Sequence, residues 1–128
     1  MKKKYLGFVV SHTHWDRAWY LPFQNYRLRL VRMVDNLLDL LEGDSRYQSF
    51  MLDGQTVILE DYLSLRPQNR DRISSLVKTK RLSIGPWYTL PDLFIPCAES
   101  LVRNLQMGRS ISRAFGEPMD IGYVPDPF

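Results

Sequence analysis

One cysteine, Cys97, stands in the 128 residues, which excludes an internal disulfide and a multi-cysteine zinc site and fits a reducing compartment. A lone cysteine reads by default as a small buried hydrophobe. Long apolar runs are lacking too, since no segment approaches the roughly 20 residues that span a bilayer. The start, Lys2-Lys3-Lys4 followed by Tyr5 to Val10, imitates a secretion signal but meets Ser11 and His12 before an apolar region of sufficient length is built. The expectation is a cytoplasmic protein with no membrane partner. Charge of one sign is also scarce: 17 Lys and Arg against 14 Asp and Glu give +3, scattered among Lys2–Lys4, Arg27–Arg32 and Lys78–Arg81. No basic stripe forms, so nucleic acid is not an expected partner.

What is present is ordinary for a globular chain, 45% hydrophobic and 24% charged, and is enough for one domain at most. A chain of this size buries roughly two-thirds of the surface that its unfolded form exposes. The run Leu6 to Val10 is rich in β-formers without strict alternation, as in a strand buried on both faces of a parallel sheet. Leu30, Val31, Val34, Leu37, Leu38 and Leu41 then recur at helical spacing, with Gly43 as a stop.

Ser49 to Leu52 predicts a second strand, Val57 to Leu63 a short helix ending before Pro67, and Asn69 to Lys80 another helix. Leu82 to Ile84 predicts a third strand closed by Gly85-Pro86, followed by a long loop through Pro91 and Pro96. A helix from about Glu99 to Phe115, interrupted at Gly108, and a fourth strand from Ile121 to Val124 complete the order. Strand alternating with helix predicts an α/β fold, a parallel β-sheet with right-handed crossover helices, open or part of a barrel. A domain seldom stops at the end of a buried parallel strand, so the expectation is the opening portion of something larger.

In such folds reactive groups gather at the carboxyl ends of the strands. There the sequence places His12-Thr13-His14-Trp15-Asp16, then Asp53, then Trp87, Tyr88 and Asp92, and finally Asp126. An extended chain past Ser11 puts His12, His14 and Asp16 on one side. Imidazole with carboxylate suits a borderline cation such as Zn²⁺; the alternative is two histidines hydrogen-bonded at a strand end. Asp126 lies between Pro125 and Pro127, which preorganise it as a nucleophile or metal ligand, or hold it in a solvated turn. Trp19 suits a sugar-stacking platform, whereas Trp87 and Tyr88 suit packing. Glu99 and Arg103, four apart on a helix, read as a local ion pair.

The blocks His12-Thr13-His14-Trp15-Asp16-Arg17, Leu52-Asp53-Gly54-Gln55-Thr56, Gly85-Pro86-Trp87-Tyr88, Glu99 to Leu105 and Gly122 to Phe128 occur in that order. Together they resemble glycoside hydrolase family 38, the zinc-dependent retaining α-mannosidases, in its bacterial mannosylglycerate hydrolase-like branch. The resemblance implies the N-terminal portion of a catalytic domain over residues 1–128, holding the first four strands or so of an irregular seven-stranded β/α barrel. It implies one Zn²⁺ bound by His14, Asp16 and Asp126, with Asp126 also the nucleophile and Trp19 against the sugar. His12 and Asp53 would support the ligands from behind. Ala18 and Leu93 stand where the family's bacterial pattern has Glu. The family's general acid and last zinc-binding histidine correspond to no residue of this chain. The implied partners are an α-mannoside and the remainder of the catalytic domain or a complementary chain, with homo-oligomerisation open. The competing expectation is an inactive truncated remnant or a split-gene subunit.

Overall fold

A computed structural model describes residues 3–126; Pro127 and Phe128 of the last block, and Lys2 of the basic start, lie outside the described residues. The chain is mixed α/β. Helix α1 spans Phe23–Gly43, strand β1 Phe50–Met51, helix α2 Val57–Leu63, helix α3 Arg70–Lys78, strand β2 Leu82–Ser83 and helix α4 Ala98–Arg113; a 3₁₀ turn, Pro67–Asn69, leads into α3. The two strands pair in parallel, Phe50 opposite Leu82 and Met51 opposite Ser83.

Helix α1 begins a full two turns before the first apolar repeat. Pro22, held extended, supplies the carbonyl that accepts the Asn25 N–H at 3.0 Å, and the helix runs on from there. Its buried stripe, Tyr26, Leu30, Val31, Val34, Leu37, Leu38 and Leu41, follows the helical period and faces α2 and α3. Val57, Ile58, Leu59 and Tyr62 of α2, Ile73, Leu76 and Val77 of α3, and Leu52, Leu82, Ile84 and Phe115 complete one continuous core. Among the described residues no helix is long and apolar enough to cross a membrane.

Helix α4 passes through Gly108 without interruption, contrary to the sequence expectation. A Cβ at Gly108 would lie 2.2 Å from the Trp87 carbonyl carbon, so glycine is required there because the helix axis packs directly on the loop after β2. That loop opens with a cis Gly85–Pro86 bond.

Two of the four expected strands do not form as strands. Leu6, Phe8, Val9 and Val10 stand 62–98% exposed, and among the described residues the only pairing nearby is an isolated parallel bridge, His12 opposite Met51, with Met51 N–H donating to Ser11 O at 2.9 Å. A strand buried on both faces needs covering layers and a lengthwise partner, and the described residues supply neither to Leu6–Val10. The stretch Ile121–Val124 likewise has no ladder, and Ile121 is exposed. The parallel order nevertheless persists as hydrogen bonds at the carboxyl ends, from Ser11 to β1, β1 to β2, and Met119 N–H to Ile84 O at 2.9 Å.

Candidate active site

The carboxyl end of β1 turns sharply through Asp53 and Gly54, both in the left-handed region with φ of 40° and 67°. Asp tolerates that region better than most side chains, and Gly54 has Tyr123 packed where a Cβ would point. The turn aims the wholly buried Asp53 carboxylate at the first loop. Asp53 Oδ2 accepts the Trp15 N–H at 2.9 Å and a bond from Gln55 Nε2, which also donates to Trp15 O at 2.6 Å. Both polar groups of the residue between His14 and Asp16 are therefore fixed by the β1 turn.

Burial pushes the Asp53 carboxyl up to about 6, against the opposing pull of Gln55, the Trp15 N–H and His14. Among the described residues its Oδ1 has no hydrogen-bond partner, and it lies 3.4 Å from His14 Nδ1. His14 Nε2 is turned the other way, 3.6 Å from Asp16 Oδ1. A proton on Nδ1 would face Asp53 and leave Nε2 as a lone-pair donor beside the Asp16 carboxylate, the arrangement that metal-bound imidazoles adopt.

His14 and Asp16 line a cleft of about 330 Å³, together with Arg17, Gln55, Asp92 and Asp126. A larger cavity of about 630 Å³ lies at the other end of β2, between Lys78, Lys80 and Arg113, away from these groups. The cleft wall after β2 is held by Asn104 of α4, whose Oδ1 accepts the Tyr88 and Thr89 N–H groups at 2.8 and 3.0 Å and whose Nδ2 donates to Thr89 O at 2.7 Å. As donors, His14 and Asp16 fit a cation that takes nitrogen and oxygen. Asp126 borders the same cleft, but among the described residues no three His, Cys, Asp or Glu side chains converge closely enough to hold one ion.

The other expected site residues are dispersed. The His12 side chain faces Tyr123, with Nδ1 2.8 Å from the hydroxyl, rather than His14. Trp19 is 77% exposed and meets Tyr20 edge-on at 5.2 Å, outside the cleft lining. Trp87 is buried, as packing predicts, and its Nε1 donates to Tyr123 O at 3.0 Å. Glu99 and Arg103 form the expected local pair at 2.7 Å. Cys97 is a correction: it is exposed just before α4, with Sγ 3.3 Å from Ser100 Oγ, because the residue preceding a surface helix faces solvent rather than the core.

Sequence reasoning gave no role to Gln55, Asn104 or Asp61. For Asp61 a signal was present, since a carboxylate among Ile58, Leu59 and Tyr62 on a short helix must find a cation. It finds Arg17, whose Nε and Nη2 donate to both carboxylate oxygens at 2.6 and 2.8 Å.

Comparison with known proteins bears on this cleft. Residues 4–128 match the family described as "Glycosyl hydrolases family 38 N-terminal domain". The chain is 45% identical, over its whole length, to a Halalkalibacterium halodurans protein named "Putative mannosylglycerate hydrolase", of which it spans 14%. It is 27% identical to 11% of a Saccharomyces cerevisiae alpha-mannosidase. The crystal structure of an alpha-mannosidase from Enterococcus faecalis V583 superposes on 92% of the chain with a TM-score of 0.89 and 48% identity, the match covering 13% of that enzyme.

Proposed function

The chain belongs to glycosyl hydrolase family 38, and on that premise we propose that it forms part of a zinc-dependent, retaining α-mannosidase whose reaction takes place in the cleft at the carboxyl ends of β1 and β2. The observation that carries the reading is the pairing of His14 with Asp16 on one wall of a cleft that Asp126 also borders. His14 and Asp16 would hold the Zn²⁺, with Asp126 as a further ligand. Bound there, the ion supplies electrostatic anchoring for adjacent sugar hydroxyls.

The residues of this chain account for the remaining work in a double displacement. The Asp126 carboxylate attacks the anomeric carbon as the bond to the leaving oxygen breaks, giving a covalent glycosyl ester. The leaving oxygen takes its proton from a carboxylic acid that this chain does not contribute. Water then cleaves the ester and frees Asp126, with net retention. Asp53 and Gln55 keep His14 and Asp16 aimed by fixing the Trp15 peptide between them. The barrel that would close around the cleft belongs to the same proposal.

The test uses the polypeptide that carries these residues, Zn²⁺ and an aryl α-mannoside. Turnover should appear, the first product should be the α-anomer by NMR, and His14→Ala or Asp126→Ala should lower kcat/KM by on the order of 10³-fold or more. Undiminished turnover in either variant overturns the assignment.

A further inference from the structure

Asp16 sits between two anchors of different origin. On its amino side the Trp15 peptide is held by Asp53 and Gln55. On its carboxyl side Arg17 reaches across to α2, where both oxygens of Asp61 accept its guanidinium; the Asp61 side chain is 10% exposed and that of Arg17 is 40% exposed. The Arg17 guanidinium also lies over the Phe23 ring at 5.0 Å, at the start of α1. Arg27 secures the same corner by stacking on Phe23 at 5.8 Å and donating to Asp61 O at 3.2 Å. The loop has no regular secondary structure around Asp16, and the Leu6–Val10 segment before it is exposed, so these two anchors hold the backbone on either side of the Asp16 carboxylate.

We propose that Asp61, acting through its bidentate pair with Arg17, is a positioning residue that sets the Asp16 carboxylate for metal binding. The inference rests on the zinc reading given above. A fork-to-fork pair fixes direction as well as distance, which a single lysine contact would not. Loss of an outer partner of this kind weakens metal binding by about 10- to 100-fold in metal sites generally.

The experiment measures Zn²⁺ affinity, by competition with a chromophoric chelator, and hydrogen exchange resolved to single amides, in the whole polypeptide. Asp61→Asn keeps the side-chain volume, and Arg17→Gln removes the tie from its more exposed side should Asp61→Asn fail to fold. Either is expected to weaken Zn²⁺ binding about 10- to 100-fold. In both, the Trp15 amide, held by Asp53, should keep its slow exchange, which separates loss of a local tie from general loosening of the fold. In an Asp16→Ala background neither should weaken binding further, whereas a merely structural contribution would add its full effect there. Wild-type-like affinity, or full additivity with Asp16→Ala, overturns the inference and leaves the zinc reading standing. A wild-type protein that binds no Zn²⁺ overturns both.

Discussion

A carboxylate buried as completely as Asp53 is tolerated because three groups converge on it, and Gln55 is the one that serves two ends at once. Replacing Gln55 by Leu leaves the Trp15 carbonyl unpaired and removes one donor from Asp53, which should lower unfolding stability by about 1–3 kcal/mol in urea titrations. An unchanged midpoint would mean that water takes over the role of the amide. Tyr62 makes a second residue-scale case. Its hydroxyl donates to Asp35 Oδ1 at 2.6 Å and accepts from Asn69, and burial, then the Asp35 bond, pushes it up to about 12. Unfolding returns the phenol to about 10, so the unfolded chain releases its proton first as pH rises. The contribution of Tyr62 to stability should therefore be independent of pH below 10 and fall between 10 and 12. The difference in melting temperature between wild type and Tyr62→Phe should shrink across that window, and a constant difference would refute the assignment. At this scale the sequence was informative about His14, Asp16 and Asp126, whose residue types and places after predicted strands pointed to one cleft, and all three line it although those strands do not form. It said nothing of His12 turning to Tyr123, since that contact joins residues 111 apart in the chain.

Helices were legible because their signal is local. The stripe from Leu30 to Leu41 and the apolar triad Ile73, Leu76 and Val77 could face only inward, and the structure buries all of them. The first two turns of α1 were missed because Phe23 to Arg29 carries mostly polar or exposed side chains, and the start depends on the Pro22 carbonyl rather than on a capping side chain. Strands were read less well because a strand exists only through its partner, and the runs Leu6–Val10 and Ile121–Val124 lack a ladder among the described residues. Gly108 was misread as a helix breaker for a related reason: its value lies in the backbone of Trp87 and Tyr88 pressed against it, which periodicity does not reveal. Gly108→Ala should destabilise the protein by about 1–3 kcal/mol or more and, by pushing α4 off the loop that Asn104 clasps, should also reduce turnover. Gly43, the last residue of α1, has open space around it, so Gly43→Ala should raise stability by about 0.4–1 kcal/mol. Equal effects at the two positions, read by denaturant titration, would show that packing against the loop is not what Gly108 provides.

At the scale of the whole molecule, a buried core built mainly by helices coexists with apolar chain that lies uncovered. Leu6, Phe8, Val9, Val10 and Ile121 are exposed, and among the described residues the parallel arrangement contains only two formed strands. An apolar, extended segment with unpaired backbone groups is a template for pairing with another chain, and an exposed cluster of this kind is rare on a monomeric surface. The sequence had already marked Leu6–Val10 as chain that belongs in a buried strand, and the structure identifies what burial would require, namely a second layer and a lengthwise neighbour. In the Enterococcus enzyme the matching region is 13% of a much larger chain, so the relatives have ample additional protein with which to provide them. Residues 1–128 produced by themselves should consequently self-associate with rising concentration in sedimentation velocity and bind a hydrophobic dye. Val9→Lys, which places a charge at the most exposed apolar position, should reduce both. A monodisperse monomer at high concentration, or self-association indifferent to Val9→Lys, would mean that this segment is not the adhesive surface. On the proposed barrel, the same substitution in a longer polypeptide should instead destabilise it, because a lysine would then replace valine inside a sheet.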